Sequence, residues 1–452
     1  NDNDNDNDND NDTTTSTTTT TQSQHQNNPK YAAAIKVDKS SRNEYAFLQA
    51  YWELLLTKNS NKTRIPRVLF ARDHPREGVT LLLESLSSFG SDTSASSTKG
   101  KQNSKREDSE QTNDSSSSSE NSNASSKSNR IHEIPLGPKT DAALEWLANF
   151  HAAFFPKSLN PNAFDVPDHA ATASTTADHE HDNDTSSSTT TTTNNNNAPF
   201  TWSVGTHLSL EKRSPTELQN LPEDLSAFLD RFESTHRYFH RSNANSASRK
   251  QGQRIRALAK GVAATLHPDH ECNRNRRTMV HGDYKQGNMF FANNDANSKK
   301  DTNDDNTIAV FDWQWTGPGI GATDLVYLCV MAVSDEALED HEANILKPYH
   351  NYLTLALERG RRASNTHGNN IVDDYPYHEL LNEFKLAAID MQRWLAGSRY
   401  KSMTLDSVRK AKQTIDVNHG IFRRSIERLV WIFQTVDDAL DDVESGRIPL
   451  VV

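Results

Sequence analysis

The sequence predicts an α+β fold in two lobes, a small β-rich lobe followed by a large, mainly helical one, interrupted by low-complexity inserts. Three observations carry this. Residues 31–83 alternate short apolar runs with one stretch of helical spacing. From Asp324 onward nearly every apolar pattern has the helical period. Three tracts, residues 1–29, 91–130 and 162–198, hold too little apolar surface to build a core.

Residues 1–29 combine an Asn-Asp repeat, a Thr run and a polar tail without one aliphatic side chain, a disordered low-complexity tail. Residues 31–37 are short, apolar and bounded by polar runs, which suits a buried strand. Residues 43–56 place Phe47, Leu48, Tyr51, Trp52 and Leu55 on one helical face. Residues 67–71 and 79–83 read as strands around a turn at 73–78. The small lobe therefore spans 31–90. A charge-balanced insert at 91–130, expected to be disordered, follows. The helical lobe takes 131–161 and 199–445, split by the acidic insert 162–198. Its first helix is expected over 141–155, with Leu144, Leu147, His151 and Phe154 on one face and Thr140 or Asp141 as cap. Further helices are expected over 222–237, 254–266, 322–333, 336–358, 377–397, 403–415 and 420–443.

The 452 residues carry a formal net charge of −12, and that whole excess lies in residues 1–12 and 162–198. The remainder is neutral, which argues against a nucleic-acid partner, since phosphate binding needs surplus Lys and Arg. No apolar run approaches the ~18 residues of a membrane span, so no membrane partner is expected. Cys272 and Cys329 are the only cysteines, which excludes a disulfide framework and favours a reducing, cytoplasmic setting.

The chemistry concentrates in one segment, Met279-Val-His-Gly-Asp-Tyr-Lys-Gln-Gly-Asn-Met-Phe-Phe291, and its continuation Ile308-Ala-Val-Phe-Asp-Trp-Gln314. Residues 289–291 and 308–311 are apolar and can pair as a hairpin across a polar loop. That pairing would bring Asp312 back beside Asn288, on the loop that presents Asp283 and Lys285. Two carboxylates and an amide are oxygen donors of the kind Mg²⁺ takes, with substrate phosphates completing its shell. Lys285 adds a positive charge suited to a transferring phosphoryl group.

These residues resemble the phosphotransferases with a protein-kinase-like fold: aminoglycoside phosphotransferases, choline kinases and ecdysteroid kinase-like proteins. His281-Gly282-Asp283, with Asn288 five residues after the Asp, is similar to their catalytic loop, and Asp312-Trp313-Gln314 to their metal-binding tripeptide. Ile35-Lys36-Val37 looks like the strand lysine, Glu44 its ion-pair partner, and Leu81–Leu86 (with Glu84) the end of the small sheet and the hinge. Leu147-Ala-Asn-Phe-His-Ala-Ala-Phe154 and Gly321-Ala-Thr-Asp-Leu-Val-Tyr327 resemble two further family segments, in the second of which Asp324 supports the loop from behind. Trp202 and Gly205 lean toward the ecdysteroid kinase-like branch.

The resemblance implies an ATP- and Mg²⁺-dependent transfer to a hydroxyl group of a small molecule. Asp283 would be the catalytic carboxylate, with Lys285 beside it. Asn288 and Asp312 would hold Mg²⁺, and Lys36, Glu44 and Glu84 would serve the nucleotide. It also implies a glycine-bearing turn upstream of Lys36. The chain has no Gly before Gly78 and begins with Asn, so an N-terminally truncated kinase is expected. The alternative is a pseudokinase or binding module that keeps the fold and has lost catalysis.

Other patterns receive plainer readings. His281 is expected to brace the loop, and Asp324 to be structural. Trp313, Trp315 and Trp394 are expected to pack in the core. Gly317–Ala322 formally fits a dinucleotide-binding fingerprint, but Pro318 is awkward in its turn and no βαβ unit follows. His267, His270 and Cys272 lack the second ligand pair of a zinc site.

Overall fold

The computed structural model describes residues 31–36, 39–58, 65, 68–74, 78–84, 131–164, 202–240, 247–291, 308–364, 371–413 and 420–451. The three low-complexity tracts lie outside these residues, apart from 162–164. Those three pack rather than trail: Phe164 meets Phe154 at 5.4 Å between ring centroids, and Asn162 donates to the Gly360 carbonyl.

β1 (Tyr31–Lys36), α1 (Lys39–Lys58), β2 (Val68–His74) and β3 (Gly78–Glu84) follow the expected β-α-β-β order. The strands form an antiparallel sheet ordered β1-β3-β2, and Lys36 pairs with Val79. On α1 the apolar period works as read: Phe47, Leu48, Tyr51 and Leu55 are buried. Each full burial of such a side chain stabilises by ~1.5–3 kcal/mol.

α2 (Pro138–Ala153) begins before the expected cap. Pro138 supplies the pre-set φ of a first turn and Gly137 takes φ 107 ahead of it, while Thr140 bonds the Pro135 carbonyl at 2.7 Å. α3 (Pro215–Gln219), α4 (Leu221–Phe232) and α5 (Ala247–Leu266) follow. Two largely buried strand pairs then carry the loops of interest. β4 (Arg277–Val280) pairs with β7 (Gly317–Ile320), and β5 (Met289–Phe291) with β6 (Ile308–Val310). β7 is the Gly-Pro-Gly stretch of the formal dinucleotide fingerprint. It is an antiparallel strand and presents no phosphate-binding turn.

α6 (Ala322–Met331) matches its expected span. The helix expected over 336–358 is broken into α7 (Asp335–Glu339), a π turn (Glu342–Leu346) and α8 (Lys347–Ala363). The break falls at Asp340, which leaves the helical region at φ −134 and ψ 75; Pro348 has no N–H to offer the Asn344 carbonyl, which lies in the π turn. α9 (Ile371–Asp374), α10 (Tyr377–Trp394), α11 (Leu405–Gln413) and α12 (Ile426–Glu444) complete the chain. α10 is the central helix, packed on α5, α6 and α12. Buried Arg428 of α12 donates to the Cys329 and Val333 carbonyls at the end of α6 and to Asp335. It thereby satisfies carbonyls that a helix end leaves open. Among the described residues, no helix is long and apolar enough to cross a membrane.

Candidate active site

β4 delivers the chain into the loop 281–285. Gly282 turns there at φ 80, and a Cβ at this position would meet the Trp315 carbonyl at 2.4 Å. Only glycine fits both the backbone and the space. The loop closes in a short 3₁₀ turn, Gln286–Asn288, that runs into β5. Pairing of Met289 with Val310 returns the chain, and the Phe311 N–H donates to the Asn288 carbonyl at 3.1 Å. Asp312 is therefore set beside Asn288, as the hairpin pattern implied. Its backbone sits at φ 69, a left-handed conformation uncommon outside glycine and often found at functional sites.

Asp283 is buried, at 3% exposure, and both its oxygens are engaged. Oδ2 accepts from Lys285 Nζ at 2.7 Å and Asn288 Nδ2 at 3.0 Å, while Oδ1 accepts from the Tyr327 hydroxyl at 2.7 Å. Burial alone would push this carboxyl up. The Lys285 ammonium and the hydrogen bonds from Lys285 and Tyr327 outweigh it and hold Asp283 below its ordinary value. Burial works against Lys285 too, yet Asp283, and more weakly Asp312, raise its ammonium above the usual range. Both groups are charged at neutral pH.

A second layer braces the loop from behind. Asp324, in the first turn of α6, accepts the His281 N–H at 2.7 Å and the Gly282 N–H at 2.9 Å. His151 of α2 holds the same carboxylate at 3.2 Å and Tyr349 of α8 at 2.7 Å. Asp324 is thus not a helix cap; its oxygens are spent on the loop backbone. His281 Nδ1 accepts the Asp283 N–H at 3.3 Å, which assigns its ring proton to Nε2, 3.1 Å from the Phe311 carbonyl. Burial lowers its pKa, so the ring is neutral and acts as a brace.

α1 reaches the same centre. Asn43 donates to the Thr316 carbonyl at 2.7 Å, and Glu44 accepts the Trp313 N–H at 3.2 Å. One turn on, Phe47 stacks on Trp313 at 4.4 Å. Trp313 is core, as expected. The side chains of Lys36 and Glu84 lie outside the described residues, and so does the expected Lys36–Glu44 pair.

Trp394 is core as well, as expected, whereas Trp315 is only half-buried. With Tyr327 they surround His207 at ring distances of 5.4, 5.1 and 5.7 Å. Burial lowers His207 to about 3, so it is neutral. It follows Thr206, a β-branched residue strained at φ 92. Trp202 stacks on Trp315 at 5.1 Å, and Gly205 lets this segment approach β7, since a Cβ there would meet the Gly317 carbonyl at 2.6 Å. On the far side of the segment a mainly apolar cavity of about 570 Å³ lies among Val204, Leu210, Ala263 and Ile320. Neither Asp283 nor Asp312 lines it. Near it Cys272 Sγ sits 3.0 Å from His270 Nδ1, but among the described residues no three His, Cys, Asp or Glu side chains converge as metal ligands.

The donor set fits a hard divalent cation. Asn288 spends its Nδ2 on Asp283, which leaves its amide oxygen outside these bonds, and Asp312 follows the strand that pairs with it.

A carboxylate held by a lysine and an asparagine on a strand-flanked loop, with a second acid at the end of the adjoining hairpin, resembles the arrangement of the protein-kinase-like phosphotransferase superfamily. Residues 210–361 match the ecdysteroid kinase-like family, a member of that superfamily. The matched stretch contains Asp283, Lys285, Asn288, Asp312, Asp324 and Tyr327, and leaves out α1 and α10. No curated protein matches the chain. Sequence reasoning had not singled out Asn43, His207 or the Tyr327 hydroxyl. For Tyr327 a signal existed, its place three residues after Asp324.

Proposed function

We propose that the chain is an ATP- and Mg²⁺-dependent phosphotransferase acting on a hydroxyl group of a small molecule. The observation that carries this reading is the convergence of Asp283, Lys285, Asn288 and Asp312 on one loop edge. In the proposed reaction the acceptor oxygen forms a bond to the γ-phosphorus. The bond from that phosphorus to the β–γ bridging oxygen breaks, and ADP leaves with the electron pair. The acceptor proton passes to Asp283. Tyr327 and Lys285 fix the carboxylate, so the chain contributes mainly orientation and charge, as phosphoryl transfer requires. Lys285 balances the charge that develops on the phosphoryl oxygens. Asn288 and Asp312 would hold Mg²⁺, which when bound neutralises phosphate charge. Lys36, Glu44 and Glu84 are assigned to the nucleotide side by the resemblance.

The test is phosphate transfer from γ-labelled ATP with Mg²⁺ to a broad panel of alcohols. Asp283→Ala is expected to lose about 10²–10⁴-fold in kcat, the range of a positioned base. Mg-ATP binding with no Asp283-dependent turnover would instead establish the binding-module reading.

A further inference from the structure

Among the described residues two arginines, Arg399 close to Asp283 and Arg423 close to Arg399, have no ion-pair partner. α10 runs into a π turn, Leu395–Arg399, which ends with the Arg399 guanidinium over the Trp394 ring, 4.9 Å from its centroid. π turns inside helices are frequent at functional sites. Arg423 lies over Phe422 at 5.7 Å. Both side chains are half-buried, and among the described residues neither guanidinium makes a hydrogen bond or ion pair. The nearby acids are already committed. Glu217 is gripped by Arg213, and Asp283 by Lys285, Asn288 and Tyr327. Burial lowers the pKa of both arginines, and their mutual repulsion lowers Arg423 further. Two desolvated like charges left without a carboxylate are unfavourable unless an anion completes them.

Their position says which anion. Asp283 presents Oδ2 to Lys285 and Asn288, the side assigned to phosphate and metal. Oδ1 faces Tyr327, and from there the rings of His207 and Trp394 lead to Arg399. The rings meet edge-on, at 84° and 81°, and the run ends in positive charge. We propose that this is the acceptor subsite, and that the acceptor is a hydroxylated organic acid with a flat apolar body. Its carboxylate would meet Arg399 and Arg423, its body the half-buried His207 and Trp315 rings, and its hydroxyl Asp283. The proposal rests on the phosphotransferase reading for the role of that hydroxyl. The same charges disfavour a polycationic acceptor.

The experiment measures binding to the full chain without ATP, by quenching of tryptophan fluorescence. The probes are hydroxymethyl-naphthoate and its neutral carboxamide. The naphthoate is expected to bind about tenfold or more tightly than the amide, the advantage of charge-assisted hydrogen bonds. Arg399→Gln and Arg423→Gln should each shrink that ratio, and Arg399→Lys should keep part of it. Circular dichroism melts establish that the variants fold. Equal affinity for the two probes, or no naphthoate binding, overturns the proposal. A parallel kinetic assay separates the two readings. If transfer to alcohols is Asp283-dependent but Arg399→Gln raises only the KM for ATP, the arginines serve the nucleotide and this proposal fails while the phosphotransferase stands. If naphthoate is selected and nothing is phosphorylated, the subsite stands and the phosphotransferase fails.

Discussion

Tyr327 donates its hydroxyl to Oδ1 of Asp283 over 2.7 Å, from the same helical face on which Asp324, three residues earlier, accepts the His281 and Gly282 N–H groups. One turn of α6 therefore holds both the backbone and the side chain of the loop. Tyr327→Phe removes one of the contacts that keep the Asp283 carboxyl low. Its pKa should rise, and the acid limb of kcat/KM against pH should move to higher pH. Loss at neutral pH is expected to be on the order of tenfold, as for a hydrogen bond to a charged group. An unmoved acid limb would separate Tyr327 from the charge state of Asp283.

Asp324→Ala should cost stability as well as activity. The substitution strands two buried N–H groups and leaves His151 facing a void. Roughly 2–5 kcal/mol of destabilisation is expected, since unsatisfied buried donors cost about 1–3 kcal/mol each. Urea unfolding reads this as a lowered midpoint with an unchanged slope. Asp324→Asn, which keeps one acceptor oxygen, should fall between the two.

Gly282→Ala combines a steric and a conformational conflict. The new Cβ would sit 2.4 Å from the Trp315 carbonyl and 2.8 Å from the Thr206 nitrogen, at a backbone φ of 80. Neither partner is a flexible side-chain end, so the loop must shift. A positive-φ residue with a side chain costs about 1–3 kcal/mol before the clash is counted. Transfer activity should be lost out of proportion to the fall in melting temperature, because Asp283 is the next residue.

Glu383 makes stability depend on pH. It is buried in α10, accepts from the Tyr375 hydroxyl at 2.7 Å and lies 3.4 Å from Arg276. Burial raises its pKa from 4.5 to about 7 against the pull of Arg276 and Tyr375. The folded chain thus holds this proton more tightly than the unfolded one. Its stabilising effect is full below about 4.5 and is lost as pH rises through about 7. The contribution is about 3 kcal/mol at most, taking ~1.4 kcal/mol per pKa unit. Melting temperatures measured between about pH 5 and pH 8 should decline, and Glu383→Gln should flatten that decline. An equal slope in the variant would assign the pH dependence elsewhere.

Asp283, Lys285, Asn288 and Asp312 were legible because their relationship is local. Three lie within six residues on one loop, and the fourth is delivered by a hairpin whose two apolar runs are visible in the sequence. β1, α1, β2 and β3 were legible for the same reason, since period and turn residues are short-range signals. β7 was not, because three of its four residues, Gly317, Pro318 and Gly319, are of types depleted in strands. The split of the helix expected over 336–358 falls at Asp340, within a stretch whose apolar period runs on.

By itself the sequence determined the loop that gathers Asp283, Lys285 and Asn288, the order of elements and the placement of all excess acidity outside the described core. Only the tertiary structure decided which polar side chains meet. Asn43 reaches a carbonyl 273 residues away, His151 and Asp324 share a buried bond across 173 residues, and Glu44 accepts the Trp313 N–H across 269. The physical reason is range. Backbone propensity and apolar period act over a few residues, whereas a buried polar group takes whichever partner packing brings within about 3 Å.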